Sequence, residues 1–246
     1  MLPHFDVEVV VGAINPEHLR VIWVDEVSED GIGDNRLYID LTGTDWSDIA
    51  PIIQVEEALI KVAAERAANA DDFDRIIAEA LAAQYPGDDI DEGPLSDFAL
   101  LDAGVISAAA ALSAAGCVST TSCRGHNGTG EPHPLIRFAA DDLRLGYVRE
   151  AAVLAGCGLL LDGGGMLQLF ATNVLAFVAF AKALLEKREY LEAITSTVAC
   201  TRPGDDYLYD YDDDVRRRDL AKILERVDAE RIVECDGQLS LFECGP

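Results

Sequence analysis

The amino-acid sequence predicts an α+β protein. Its centre is a two-half α/β sandwich with an antiparallel or mixed sheet and its helices on one face. Three observations predict this. Alanine-rich helical sequence runs twice into Ala-Gly-Cys and then a strand, at residues 110–121 (AALSAAGCVSTT) and 150–161 (EAAVLAGCGLLL). Asp162-Gly163-Gly164-Gly165 separates two short apolar runs, Leu159–Leu161 and Met166–Ala171, as the turn of a hairpin does. Val7, Val9 and Val11 alternate along Phe5 to Ile14 with the period of a strand.

In order, Phe5 to Ile14 reads as a first strand, broken by Asn15-Pro16. Val21 to Val27 is a second apolar run. Turn residues at 30–35 precede a third, Leu37 to Leu41. Together these predict an antiparallel β-meander, with His4 and His18 as surface residues on its flanks. Asp48 or a near neighbour caps a first helix, whose apolar face includes Ile53, Leu59, Ile60 and Val62. Asp71 or Asp72 caps a second through Ile76, Ile77 and Leu81. Tyr85-Pro86-Gly87 ends it, and the acidic, breaker-rich stretch from Asp88 to Pro94 reads as a linker. The boundaries are then 1–93 for an acidic meander and helical region, 94–190 for a central domain, and 191–246 for an acidic tail.

The central domain reads α-β-β-α-β-β-α. Asp102 starts its first helix, and Asp141 or Asp142 starts the second. Asn173 caps the third, which carries Val174, Phe177, Val178, Ala181, Leu184 and Leu185 toward a sheet. Gly116 and Gly156 fit the left-handed position that closes a helix. In the tail, YLYDYDDD (207–214) is an edge strand or an exposed segment. Val215 to Val227 reads as a helix, and Asp236-Gly237 joins Arg231–Cys235 to Gln238–Phe242 as a hairpin.

The chain has 246 residues, half of them hydrophobic, and a net charge of −26. That length and apolar content suit a sizeable core. No uninterrupted apolar run reaches about 18 residues, which predicts no membrane span. The opening Met1-Leu2-Pro3-His4-Phe5-Asp6 has neither a basic region nor an apolar core, which predicts no secretory signal. Six cysteines are too few for a disulfide scaffold of this size, so reduced thiols in the cytoplasm are expected.

The acidity is unevenly spread. Residues 1–100 carry 23 Asp and Glu against 5 Lys and Arg, a net −18; residues 101–190 are nearly neutral at −1; residues 191–246 carry −7. The acidic flanks suit solubility, adaptation to salt, or steering of a basic protein partner. The neutral centre leaves room for a nucleotide or RNA to approach.

That centre holds the densest set of reactive side chains, Cys117 to His126, followed by His133. Three chemistries fit them. Cys117, Cys123, His126 and His133 are zinc-type donors, but C-x5-C-x2-H-x6-H is not a common zinc spacing and predicts that no metal is bound. Cys123 beside Arg124 and His126 suits a nucleophile, though no orienting carboxylate is evident. Thr120, Thr121 and Ser122, with the backbone around Gly125, suit capture of an anion.

Thr120-Thr121-Ser122-Cys123-Arg124-Gly125-His126 resembles the Ser-Ser-Cys-Ser-Gly-Arg signature of the tRNA wybutosine-synthesising methyltransferase family. In that family the signature is succeeded by strand, helix, strand and helix, and the elements read from 135 to 187 are similar. Ser122, Cys123 and Gly125 match the signature; Arg124 replaces a serine and His126 an arginine. The resemblance implies S-adenosylmethionine as methyl donor and a modified guanosine in tRNA as acceptor. On this reading Cys123 and His126 are the catalytic candidates. Thr120, Thr121, Ser122, Arg124, Gly125 and His133 are the substrate-binding ones. The other expectation, from a different class, is a non-catalytic interaction subunit whose acidic flanks bind a basic protein.

Overall fold

The computed structural model describes residues 1–20, 41, 44–84, 101–126, 131–194, 233–235 and 238–240. Its first helix, α1 (Trp46–Arg66), is capped by Asp45, whose carboxylate accepts the Ser47 N–H at 2.7 Å. The cap thus lies three residues ahead of Asp48, which falls in the first turn. Ile49, Ile52, Ile53, Ile60 and Ala63 recur at helical spacing and are buried. The next helix, α2 (Ala70–Gln84), is capped by Asn69 rather than Asp71 or Asp72. Asn69 accepts the Asp72 N–H, and Asp72 accepts the Ala68 N–H in return. This reciprocal arrangement satisfies donors at both ends of the cap.

The central order is the expected one: α3 (Ile106–Ala114), β1 (Val118–Cys123), β2 (Leu135–Ala139), α4 (Asp142–Ala155), β3 (Gly158–Leu161), β4 (Leu167–Phe170) and α5 (Val174–Leu185). A short α6 (Arg188–Glu192) comes next. Asp141 caps α4 and Asn173 caps α5. Gly156 closes α4 at φ +68°, and Gly116 lies just past α3 at φ +81°. Both conformations are open to glycine at little cost.

The four strands form one antiparallel sheet in the order β1-β2-β4-β3. Residues directly opposite one another share a face. Ile136 lies opposite Leu169 and Phe138 opposite Leu167. These four enter the same core as Ala111 of α3, Val148 of α4, and Phe177 and Phe180 of α5. Arg137 opposite Gln168 lies on the other face. The α+β class is as the sequence predicts.

The N-terminal segment differs from the expected meander. Phe5 to Ile14 forms no strand: Val7 N–H turns back to the Phe5 carbonyl, Phe5 N–H donates to the Thr172 carbonyl, and the one β-bridge among the described residues of this segment joins Val11 to Leu159 in parallel. Gly12 N–H donates to the Leu159 carbonyl and Leu159 N–H to the Val10 carbonyl, both at 2.9 Å. Among the described residues the strand order leaves an edge of β3 without a partner strand, and this segment lies along it. An uncovered edge invites pairing with another chain. Val21–Val27 and nearly all of Leu37–Leu41 lie outside the described residues.

The expected boundary near residue 93 also lies outside them. The helices on its two sides share one core: α1 packs against α3 and α5. In the tail, β5 (Val233–Cys235) and β6 (Gln238–Ser240) pair antiparallel as expected, with β6 beside α2. The segment 207–214 and the helix expected at 215–227 lie outside the described residues. Among the described residues no helix is long and apolar enough to cross a membrane.

Candidate functional site

The site forms where β1 ends. Pairing of β1 with β2 slips once, between Ser119 and Thr121. The extra residue, Thr120, is buried, and its hydroxyl donates to the Arg137 carbonyl at 3.3 Å. A bulge of this kind resets the alternation of a strand. Beyond it Thr121 lies opposite Arg137, Ser122 opposite Ile136, and Cys123 opposite Leu135.

After Cys123 the chain turns through Arg124 and Gly125. Gly125 has φ +83°, and a Cβ there would lie 2.8 Å from the His133 backbone. Only glycine permits this close approach to the start of β2. The turn is fastened twice. Gly125 N–H donates to Cys123 Sγ at 3.4 Å, and His126 N–H to the Glu131 carbonyl at 3.1 Å.

Two carboxylates reach this turn from other parts of the chain. Asp102, in the turn before α3, accepts the Arg124 N–H at 3.2 Å and lies 3.1 Å from His126 Nε2. Asp74, on α2, lies 3.1 Å from Arg124 Nε and 3.7 Å from His126 Nδ1. His126 thus stands between two carboxylates, one facing each ring nitrogen. Asp102, Cys123 and His126 can each turn a donor atom toward one point, with those atoms within 4.8 Å of one another.

Asp102 is held in place from a distance. Val105, before α3, makes no side-chain cap. Glu56, buried on α1, does that work instead. Its carboxylate accepts the N–H groups of Gly104 at 2.7 Å, and of Ile106 and Ser107 at 2.9 Å. Burial pushes the Glu56 carboxyl above its ordinary pKa, against the opposing pull of Ser107 and these N–H donors. Helix α3 therefore begins at Ile106, not at Asp102, and Asp102 is freed for the site.

The expected site residues divide into two groups. Cys123, Arg124, Gly125 and His126 come together, with Ser122 adjacent on β1. His133 does not join them: its ring packs edge-on against Phe170, with centroids 5.8 Å apart. Thr120 is occupied by the bulge and Thr121 lies in the Arg137 register. Cys117, weighed as a zinc donor, is buried in the core. Its counterpart in the sequence echo, Cys157, is likewise buried, which pushes its thiol up to about 12.

The electrostatics change two expected roles. Burial pushes the Cys123 thiol above its ordinary value, and the Asp102 and Glu131 carboxylates push the same way. The Gly125 and Glu131 N–H groups oppose them without reversing the shift. Such a group stays a thiol at neutral pH, whereas a nucleophile needs the thiolate. Arg124, expected to contact substrate, is mostly buried against Asp74. The Asp74 carboxylate lies within ion-pair distance of it, although the buried Nε makes no hydrogen bond.

Asp74 and Asp102 were not legible as site residues. Asp102 left one signal, being the only charged residue between positions 98 and 123. Asp74 left none, because Asp71 and Asp72 beside it look the same. Comparison with protein-family models, curated proteins and solved structures brought no match.

Proposed function

We propose that the chain is an enzyme whose reaction centre is the cluster of Asp74, Asp102, Cys123, Arg124 and His126. Its reaction is methyl transfer from S-adenosylmethionine to a nucleotide or RNA acceptor. The observation that carries an enzymatic reading is His126, partly exposed between Asp74 and Asp102. Methyl transfer from a sulfonium to an N–H or O–H acceptor releases a proton. A carboxylate-oriented imidazole is the usual group to receive it. The resemblance to the wybutosine-synthesising methyltransferases supports the choice of donor, since its matching residues Ser122, Cys123 and Gly125 lie at this turn.

Calorimetry with S-adenosylmethionine and transfer of a labelled methyl group to bulk tRNA or nucleotides test the reading. Binding of the donor is expected, and His126→Ala should lower transfer by about 100-fold or more, the usual worth of one acid–base group. An unchanged rate in that variant, or no binding of the donor, sinks it.

A second reading, a non-catalytic subunit that binds a basic protein, is favoured by the charges of −18 and −7 on the two flanks. Its association should slow strongly in salt, because the screening length shrinks to about 3 Å at 1 M. Neutralising Asp210, Asp212, Asp213 and Asp214 to asparagine should slow it further at low salt. Association that ignores both changes leaves the acidity without a steering role.

A further inference from the structure

We propose that Asp102, Cys123 and His126 bind one divalent transition-metal ion, and that the ion is zinc. This departs from the spacing of the sequence motif, which predicts no metal. The spacing misleads because two of the four apparent donors are elsewhere: Cys117 is in the core and His133 is against Phe170. The third donor is instead Asp102, brought from ahead of α3.

The geometry supports an ion at two levels. The three donor atoms lie within 4.8 Å of one another, and His126 Nε2 is already 3.1 Å from Asp102 Oδ2. Ligand distances of about 2.0–2.3 Å in a tetrahedron place neighbouring donors about 3.3–3.8 Å apart, so small side-chain rotations suffice.

The second level is the surroundings of the donors. A metal-bound histidine ordinarily turns its other nitrogen to a carboxylate, which fixes its tautomer. Here His126 Nδ1 faces Asp74 at 3.7 Å, and Arg124 Nε lies 3.1 Å from the other Asp74 oxygen. Arg124 N–H donates to Asp102 Oδ2 at 3.2 Å. Cys123 Sγ accepts the N–H groups of Gly125 and Glu131. Asp102 and Cys123 thus each accept an outer N–H, and Asp74 stands within ion-pair distance of His126 Nδ1. A nucleophilic cysteine would not need Asp102 beside it, and a simple His–Asp pair would not need a sulfur fastened by two amides.

The donor set selects the ion. One sulfur, one nitrogen and one oxygen suit zinc and its neighbours; magnesium and calcium prefer oxygen throughout. Three protein donors leave a fourth position for water, the arrangement of catalytic rather than structural zinc. Binding of the ion stands on this geometry alone. Its task rests on the function proposed above: a zinc-bound hydroxide would accept the proton in place of the imidazole.

The experiment uses the full chain, stripped with a chelator and titrated with cobalt(II) and then zinc(II). The expected result is one cobalt per chain, with visible bands of tetrahedral intensity and an ultraviolet thiolate-to-cobalt charge-transfer band. Zinc should displace both. Cys123→Ser should lose the charge-transfer band, and Asp74→Asn, which touches no metal, should weaken binding about 10–100-fold. Far-ultraviolet circular dichroism shows that each variant is folded; an unfolded Cys123→Ser is replaced by His126→Gln, which should lose the tetrahedral bands. Absence of cobalt and zinc binding in the wild type overturns the proposal, as does a charge-transfer band that survives in Cys123→Ser. Zinc binding without S-adenosylmethionine binding leaves the metal site and sinks only the methyl-transfer reading. Full methyl transfer by the stripped chain leaves ion binding to the titration and sinks only the task given to the zinc-bound hydroxide.

Discussion

Glu56→Ala is expected to destabilise the protein by about 4 kcal/mol, because three N–H donors at a buried helix start lose the carboxyl that accepts from them. The three donors that it satisfies, on Gly104, Ile106 and Ser107, sit at the start of a helix that no local side chain caps. Glu56→Gln separates charge from hydrogen bonding. Its amide oxygen can keep the two bonds that Oε1 makes to Gly104 and Ile106, while its amide nitrogen meets the Ser107 N–H. A cost of about 2 kcal/mol is expected, one buried donor left unsatisfied. Urea unfolding measures both.

The pH dependence is the sharper check. Burial raises the Glu56 pKa in the folded chain above its unfolded value. The folded state then holds the extra proton, so this group's contribution is full below the unfolded pKa. It is lost as pH rises through the folded one. The stability of wild type relative to Glu56→Gln should therefore fall as pH rises above the ordinary glutamate range. A difference that grows with pH would mean that the helix end, not burial, governs the ionisation. Because the segment 102–107 hangs on Glu56, cobalt binding should weaken in Glu56→Ala under conditions where the variant remains folded.

The order α-β-β-α-β-β-α, the caps at Asp141 and Asn173 and the two left-handed glycines were legible in the sequence. Each is a local matter: a periodicity, a side chain that reaches two or three residues, a backbone angle. The illegible part is long-range. Nothing near α3 shows that its cap is Glu56, about fifty residues earlier. The edge of β3 is covered by Val10–Gly12, and no alternation pattern names its partner. The candidate site is divided in the same way. Cys123 and His126 stand out because they are close together in an unusual stretch. Asp74 and Asp102 are ordinary acids in a chain with 45 of them, and only folding makes them neighbours of His126.

The second large effect is expected at the junction of α3 and α4, where Gly116 and Arg144 meet. Arg144 is buried, pairs with Asp141 at the start of α4, and donates from Nε to the Ala115 carbonyl at 2.6 Å. It thereby links the end of one helix to the cap of the next. Gly116 lies under its guanidinium: a Cβ there would be 2.7 Å from Nε and Nη2. Gly116→Ala should cost about 1–2 kcal/mol for its φ of +81°. It should cost about 2 kcal/mol more for pushing a buried guanidinium off its acceptors. Arg144→Met should cost about 3–5 kcal/mol, because Asp141 is left buried beside an apolar side chain. The two effects should not add. With the guanidinium gone, an added Cβ meets nothing charged, and only the backbone strain remains. In the Arg144→Met background Gly116→Ala should therefore cost about half of its cost alone, a coupling of about 2 kcal/mol. Full additivity in a double-mutant cycle by urea unfolding would mean that Arg144 has room to move aside. The glycine would then be required for its backbone angle alone.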